Sequence, residues 1–384
     1  MTTVHLVYPH GARISAPHAI GRKLGERLAG RYRVVYHDVD EARTIEPGPD
    51  EVLLGHPRPA PWTVFRRSAR RRGWRRVLAM FPYNHGDLWQ VSFANPIVRR
   101  CDLVLAITGN HWFETIDASP FRHWRPKMIH LDLAVDPVDF PRVKHAFAPP
   151  GRRRFLYVGH TLWYKNTAFL GEIARRMPET EIGWCGTGAK IPHLVPHGRV
   201  DFSTPEGRAV ITAYDFLLTV GRADSNPTTI LEAAAWGLVP VCTPESGYAG
   251  HAGIPTVPLG DAASAVVVLR DLQHASGARL EALRAANDAA LRTHFTWERF
   301  AGQVAAAIES SASPPLGPEP RWERVRLQLA ALASPYSPIR PRSLWTGVRT
   351  LARSMDAGRR ARAWHRTRRA ARPPGAGGGD ERPG

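Results

Sequence analysis

The 384-residue chain has only three cysteines, Cys101, Cys185 and Cys242, set far apart and without a CxxC pair. A disulfide framework and a thiolate zinc site are thereby excluded, and a reducing cytosol is the compartment that fits. No apolar run is long enough to span a bilayer. No secretory leader is expected, because Thr3–Tyr8 already reads as a strand with no basic start or apolar stretch before it. Short-period repeats are lacking. So is any recognised nucleic-acid motif, and the basic residues do not interleave with stacking aromatics, so nucleic acid is not an expected partner. No group of carboxylates or histidines has metal-ligand spacing, and no metal residue is assigned.

What is present begins with charge and packing material. Apolar residues make up 43% of the chain and Trp occurs 12 times, which suits a packed protein of more than one core. The net charge of +18 is unevenly placed. From Arg321 to Gly384 there are 15 Arg against four acidic residues, a net +11, which leaves +7 for the other 320 residues. That asymmetry points to an anionic partner for the C-terminal stretch rather than for the whole protein.

Short apolar runs alternate with helical stretches. Strands are expected at Val4–Tyr8, Val34–His37, Glu51–Leu54, Arg76–Phe81, Leu103–Ile107 and Lys127–Leu131, with helices at Pro17–Ala29, Trp62–Arg72 and His111–Ile116 among them. After a Pro/Arg/Gly-rich stretch the alternation restarts with strands Arg154–Gly159, Glu181–Cys185, Asp215–Val220 and Val239–Cys242. Near-continuous apolar strands separated by helices imply parallel sheets covered on both faces. The expected fold is α/β, with two doubly wound Rossmann-like domains facing a central cleft. The expected partition is 1–140, a linker at 141–153, 154–310, and a Pro/Arg-rich extension at 311–384.

Two segments carry chemistry. In Asp215–Thr243 a strand ends near Val220, a loop bears Asp224, and a helix opens with Asn226 as expected N-cap and Pro227 in its first turn. Free N–H groups and the helix dipole make that start an anion site suited to a diphosphate, with Thr228 and Thr229 beside it. Glu232 on the second turn is placed to accept ribose hydroxyls; a solvated surface carboxylate fits the local pattern equally. In Phe155–Asn166 a strand delivers Gly159 and His160, then Lys165 at the next helix start. An ammonium there stabilises a departing pyrophosphate, and the plain alternative is a surface Lys after a βα turn.

The register of these segments resembles the retaining GT-B glycosyltransferases of family four. Asp215, Asp224 and Glu232 hold the places of that family's strand-opening Asp and E-x7-E pair, with Asp for Glu at the first position and Ser225-Asn226-Pro227 for the usual Gly-rich turn. Leu231-Glu232-Ala233, Gly237, Pro240, Val241 and Thr243 continue the likeness. Phe155–Asn166 resembles the segment that opens the family's C-terminal domain, and Trp184–Gly188, containing Gly186, resembles the turn beside the base. Cys101–Thr108, Asp132–Phe140 and Phe295–Phe300 resemble further stretches, and Phe81–Asp87 falls where the family places a His facing the reacting sugar. The likeness spans roughly residues 1–310. It implies catalytic roles for His85 and Asp224, and donor binding by Gly159, His160, Lys165, Gly186, Asn226, Thr228, Thr229 and Glu232. The plain alternative for His85 is one loop His among 17. Also implied are sugar transfer with retention from a UDP- or GDP-linked donor to a glycan or lipid-linked acceptor, and no cofactor.

Arg66, Arg67, Arg70, Arg71, Arg72, Arg75 and Arg76 crowd one segment whose other side shows Trp62, Phe65 and Ala69. Adsorption to an anionic membrane, together with the Arg-rich tail, and a half-buried surface helix with a solvated arginine face both fit. The membrane reading places the protein on the inner face of the cell membrane. A non-catalytic nucleotide-sugar- or nucleic-acid-binding protein on the same scaffold is the competing function.

Overall fold

The computed structural model describes residues 1–11, 15–86, 88–311, 316–317, 320 and 322–333. The first half runs β1 (Thr3–Val7), α1 (Ala16–Leu28), β2 (Arg33–His37), β3 (Glu51–Gly55), α2 (Val64–Ser68), β4 (Arg76–Pro82), α3 (Leu88–Val98), β5 (Leu103–Ile107), α4 (Asn110–Glu114) and β6 (Met128–Leu131). The second runs β7 (Phe155–Val158), α5 (Thr167–Arg176), β8 (Ile182–Cys185), β9 (Val195–Gly198), α6 (Pro205–Thr212), β10 (Phe216–Thr219), α7 (Thr228–Trp236), β11 (Val239–Cys242), α8 (Ala262–His274), α9 (Gly277–Thr293), α10 (Trp297–Glu309) and α11 (Glu323–Ala333).

Two parallel sheets result, ordered β2-β1-β3-β4-β5-β6 and β11-β10-β7-β8-β9. Alternate residues explain why both faces are covered. Val4 and Leu6 of β1 and Leu78 and Met80 of β4 join Ile20, Leu24 and Leu28 of α1 in one core. Val7, Ala79 and Phe81 face the other way, into Phe65 of α2 and Val91, Ala94 and Ile97 of α3. In the second sheet Phe155, Tyr157, Phe216 and Leu218 pack on Leu170 and Ile173 of α5 and Leu269 of α8. Strands buried on both faces must be apolar throughout, as β5 is.

α10 returns to the first sheet. Thr296 caps it, its side chain accepting from Arg299 N at 3.2 Å. Arg27 of α1 pairs with Glu298 at 2.8 Å, and Tyr32 Oη donates to Glu309 at 2.9 Å. Glu323, buried at the start of α11, accepts from Asn95 at 3.1 Å and from Arg99 at 2.7 Å on the α3 side. The Pro-rich stretch at 141–153 is irregular yet fastened. Arg153, 1% exposed, donates to the carbonyls of Ala148, Leu272, Gln273 and Ala275.

The expected basic helix at Trp62–Arg72 is a correction. Helix covers only Val64–Ser68, and Arg66 is buried, donating to the carbonyls of Arg58 and Phe93. Arg67 donates to Ala42 O, Arg71 pairs with Glu46, Arg75 with Asp50 and Glu309, and Arg76 reaches Ser310 O. Five of the seven arginines are thus tied to the protein itself, because each offers several donors that unpaired carbonyls and carboxylates nearby require. Arg67, Arg70, Arg71 and Arg72 remain exposed, which fits the solvated arginine face of a half-buried surface segment. The Arg-rich extension beyond residue 333 lies outside the described residues.

Candidate active site

The carboxyl ends of both sheets meet at one cleft. Behind β7 come Gly159 and His160, then a short turn ending at Lys165, with Asn166 left-handed (φ 57°) just before α5. Behind β8 stands Gly186, whose amide donates to Gly198 O at 2.8 Å. A Cβ on Gly186 would sit 1.9 Å from Gly159 O, so only glycine lets these two turns touch. Behind β10 the loop 220–227 carries Asp224 and leads into α7.

Lys165 Nζ donates to Asp224 Oδ2 at 2.6 Å, and both side chains are 11% exposed. The two loops are further joined by Arg222 N donating to Tyr164 O at 2.9 Å. Tyr157 Oη donates to His160 O at 2.7 Å, and His160 Nε2 lies 2.9 Å from Tyr164 Oη. Burial first, then the Lys165 charge, lowers the His160 pKa, so its ring is neutral near pH 7.

Among the described residues no side chain caps α7, which leaves its first N–H groups to a ligand. The Thr229 hydroxyl is buried with no hydrogen-bond partner among the described residues. Glu232 is half-buried, and burial raises its carboxyl pKa against the opposing pull of the Thr228 hydroxyl and the Lys165 charge. It opens into a cavity of about 850 Å³ lined also by Thr228, Trp236, Arg199–Ser203, Leu133–Asp136 and the start of α1. A carboxylate with one hydroxyl partner in such a cavity has acceptor sites to spare.

From the first sheet, the loop after β4 brings His85. Its Nε2 lies 3.3 Å from Thr115 Oγ1, its Nδ1 3.5 Å from Tyr83 Oη, and its ring meets the Trp112 ring edge-on at 4.8 Å. Burial, then the charge of His111, lowers its pKa to about 4. The same loop abuts the Asp224 loop. Asn84 Nδ2 is 3.5 Å from Ser225 Oγ, and a Cβ on Gly86 would lie 3.1 Å from that of Ala223. His85 and Asp224 therefore stand on facing loops.

Asn226 is the correction among the candidates. Pro227, not Asn226, occupies the N-cap position, and the buried Asn226 amide turns to Leu133 and Asp132 instead. Asp215 opens β10 in a structural role, accepting from Ala148 N at 2.9 Å and pairing with Lys144 at 3.0 Å. The Arg199–Ser203 wall of the cavity and the Lys23 clamp on Asp136 and Asp139, at 2.9 and 3.1 Å, carry no motif in the sequence. Their signal was positional, since Arg199 directly follows β9, the third strand of the second sheet along the chain. Among the described residues, no three His, Cys, Asp or Glu side chains group to hold a metal ion, and all three cysteines are buried and free. No described helix is long and apolar enough to cross a membrane.

No family model and no curated protein matches the sequence. Solved structures do match the fold. A glycosyltransferase from Rickettsia africae is similar with a TM-score of 0.57 at 11% identity, covering 81% of this chain and 99% of that one. Sucrose-phosphate synthase from Thermosynechococcus elongatus gives 0.58 at 13%, with 80% and 98% covered. The fold is GT-B. Anabaena HepE, solved with UDP and glucose, gives 0.53 at 11%, with 81% and 100% covered. This GT-B chain thus shares its two-sheet architecture with proteins at which sequence similarity has faded.

Proposed function

We propose that the protein is a glycosyltransferase that moves a sugar from a nucleotide-sugar donor, UDP- or GDP-linked, to a glycan or lipid-linked acceptor, with retention, in cell-surface polysaccharide or glycolipid synthesis. The observation that carries the reading is the Lys165–Asp224 pair beside the uncapped start of α7, with Glu232 opening into the adjoining cavity. Lys165 and the helix dipole would meet the diphosphate, Glu232 the ribose, and Asp224 the transferred sugar once the phosphate draws Lys165 away. HepE, of the same fold, was solved with UDP and glucose, which supports such a donor here.

A thermal-shift screen with UDP, GDP, ADP and CDP tests this. A ligand at 100 times its dissociation constant adds about 2.7 kcal/mol to stability, and one of the four should raise Tm accordingly. No shift with any of them overturns the donor assignment.

The finer placement at the inner face of an anionic membrane is supported by α11. Trp322, just before it, and Val325 and Leu329 are exposed along one side with Arg326 between them, and residues 321–384 carry 15 Arg against four acidic residues. Aromatic and aliphatic contact plus positive charge suits an anionic leaflet. Truncation after Met355 should lower flotation with anionic liposomes and leave turnover on a soluble acceptor unchanged. Flotation that survives truncation removes the tail from this role.

A further inference from the structure

The loop that presents Asp224 ends in a residue whose side chain leaves the donor cavity. Asn226 is 1% exposed and holds φ 53°, a left-handed conformation that Asn tolerates better than most residues. Its Oδ1 accepts from Leu133 N at 2.7 Å, and its Nδ2 donates toward Asp132 Oδ1 at 3.5 Å. Asp132 and Leu133 directly follow β6, the last strand of the first sheet. One amide therefore joins the Asp224 loop of the second sheet to the exit of the first.

Asp132 is itself held on several sides. His294 Nε2 lies 2.8 Å from its Oδ2, His130 Nε2 3.1 Å from its Oδ1, and Arg299 Nη1 3.8 Å from its Oδ2. Burial pushes its carboxyl up, but the hydrogen bonds and charge of His130 and His294 outweigh this and hold it below the usual carboxylate range. The far side of the loop is fixed too. Asn226 N donates to Ser246 O at 3.2 Å and Tyr248 Oη to Pro227 O at 3.1 Å. Leu133 and Ala134, next to the joint, line the same cavity as Thr228 and Glu232. A shift at 226 would thus move the Asp224 loop against the residues that follow β6. A buried amide on a buried carboxylate is a directional contact that an apolar pair filling the same volume would lack.

We propose that Asn226 and Asp132 form a joint between the two sheets that positions Asp224 for sugar transfer, so that Asn226 is a positioning residue rather than a donor ligand. This rests on the transferase reading above. The decisive variant is Asn226→Gly, which keeps the left-handed backbone and removes the amide. Turnover should fall about 10²-fold, the scale of a misplacement of about 1 Å. The dissociation constant for the nucleoside diphosphate, set by Lys165, Glu232 and the α7 start, should stay near that of the wild type. Asn226→Asp alone sets two carboxylates together and should be no better. Combined with Asp132→Asn it restores donor opposite acceptor, and most of the turnover should return. Amide exchange across residues 221–228, which needs no activity, should quicken in Asn226→Gly and slow again in the exchanged pair. Unchanged exchange in Asn226→Gly overturns the joint. Faster exchange with wild-type turnover, or loss of turnover and nucleotide affinity in equal measure, overturns the positioning role. A wild-type protein that binds no nucleotide and transfers no sugar overturns the transferase reading instead, and the exchange result then still judges the joint.

Discussion

Behind β1, β3 and β4 of the first sheet burial holds Tyr8, His56, Tyr83 and His85 neutral, while the loops behind β7 and β10 of the second keep a charged pair, Lys165 and Asp224. Burial lowers His56 to about 3 and His85 to about 4, and it raises the phenols of Tyr8 and Tyr83. Across the cleft stand Lys165 against Asp224, and Glu232. Both edges come from parallel strands of like composition, so the contrast is set by the loops and not by the sheets. A neutral edge suits the uncharged hydroxyls of an acceptor. A charged edge suits a diphosphate, whose negative charge grows as the sugar departs.

The contrast breaks or sharpens through substitution on each side, and the largest effect should come from the charged edge. Lys165→Ala should lower kcat/KM by about 10²–10³-fold, the scale of losing one preorganised charge-stabilising group. It should also lower Tm, because Asp224 is left nearly buried and unpaired. Wild-type turnover in this variant would show that the pair is structural only. Glu232→Gln should follow, weakening nucleoside diphosphate binding by about 1.5–3 kcal/mol in calorimetry, as expected for a hydrogen bond to a charged group. A deoxyribose nucleotide should bind wild type and variant more nearly alike. His85→Ala on the neutral edge should reduce turnover only about three- to tenfold, the range for one neutral hydrogen bond, with nucleotide affinity unchanged. Loss of nucleotide affinity on His85→Ala would merge the two edges into one donor site.

Much of this arrangement was legible because parallel strands buried on two faces must be apolar runs. The parts that escaped broke that rule for physical reasons. β9, Val-Pro-His-Gly, is exposed along its whole length and has no apolar run, so the Arg199–Ser203 wall behind it was passed over. The interior of α3 from Val91 to Val98 is nearly all buried, with α11 packed against it, and its polar Ser92 and Asn95 are buried too, so no solvated stripe betrays a helix. At Trp62–Arg72 the pattern looked amphipathic, but Arg66 turns inward to find carbonyls, which hydropathy cannot foresee. The Asn226-Pro227 pair reads locally as a helix cap, and a bond to Leu133, 93 residues away, overrode it. Lys165, Asp224 and Glu232 were found from register, and the first two do come together.

The smallest effect expected is on stability against pH, and it should carry opposite signs at the two edges. A His with a depressed folded pKa binds its proton more readily in the unfolded chain. His56 and His85 therefore withdraw stability as pH falls from about 6.5 toward 4, and they have no influence above about 7. Glu232 works the other way. Its raised pKa means that the folded state carries an unwelcome charge at neutral pH, which protonation relieves as pH falls toward its unfolded value of 4.5. Wild-type Tm should thus stay level from pH 8 to 7 and decline by a few degrees on the way to 4.5, given that about 1 kcal/mol moves Tm by about 2–4 °C in a chain of this order. His56→Gln should flatten the decline. Glu232→Gln should be slightly more stable than wild type at pH 7 and should lose stability more steeply below 6. A Tm that is level down to pH 4.5 in wild type, or identical slopes in the two variants, would show that the neutral and charged edges are not set apart by burial.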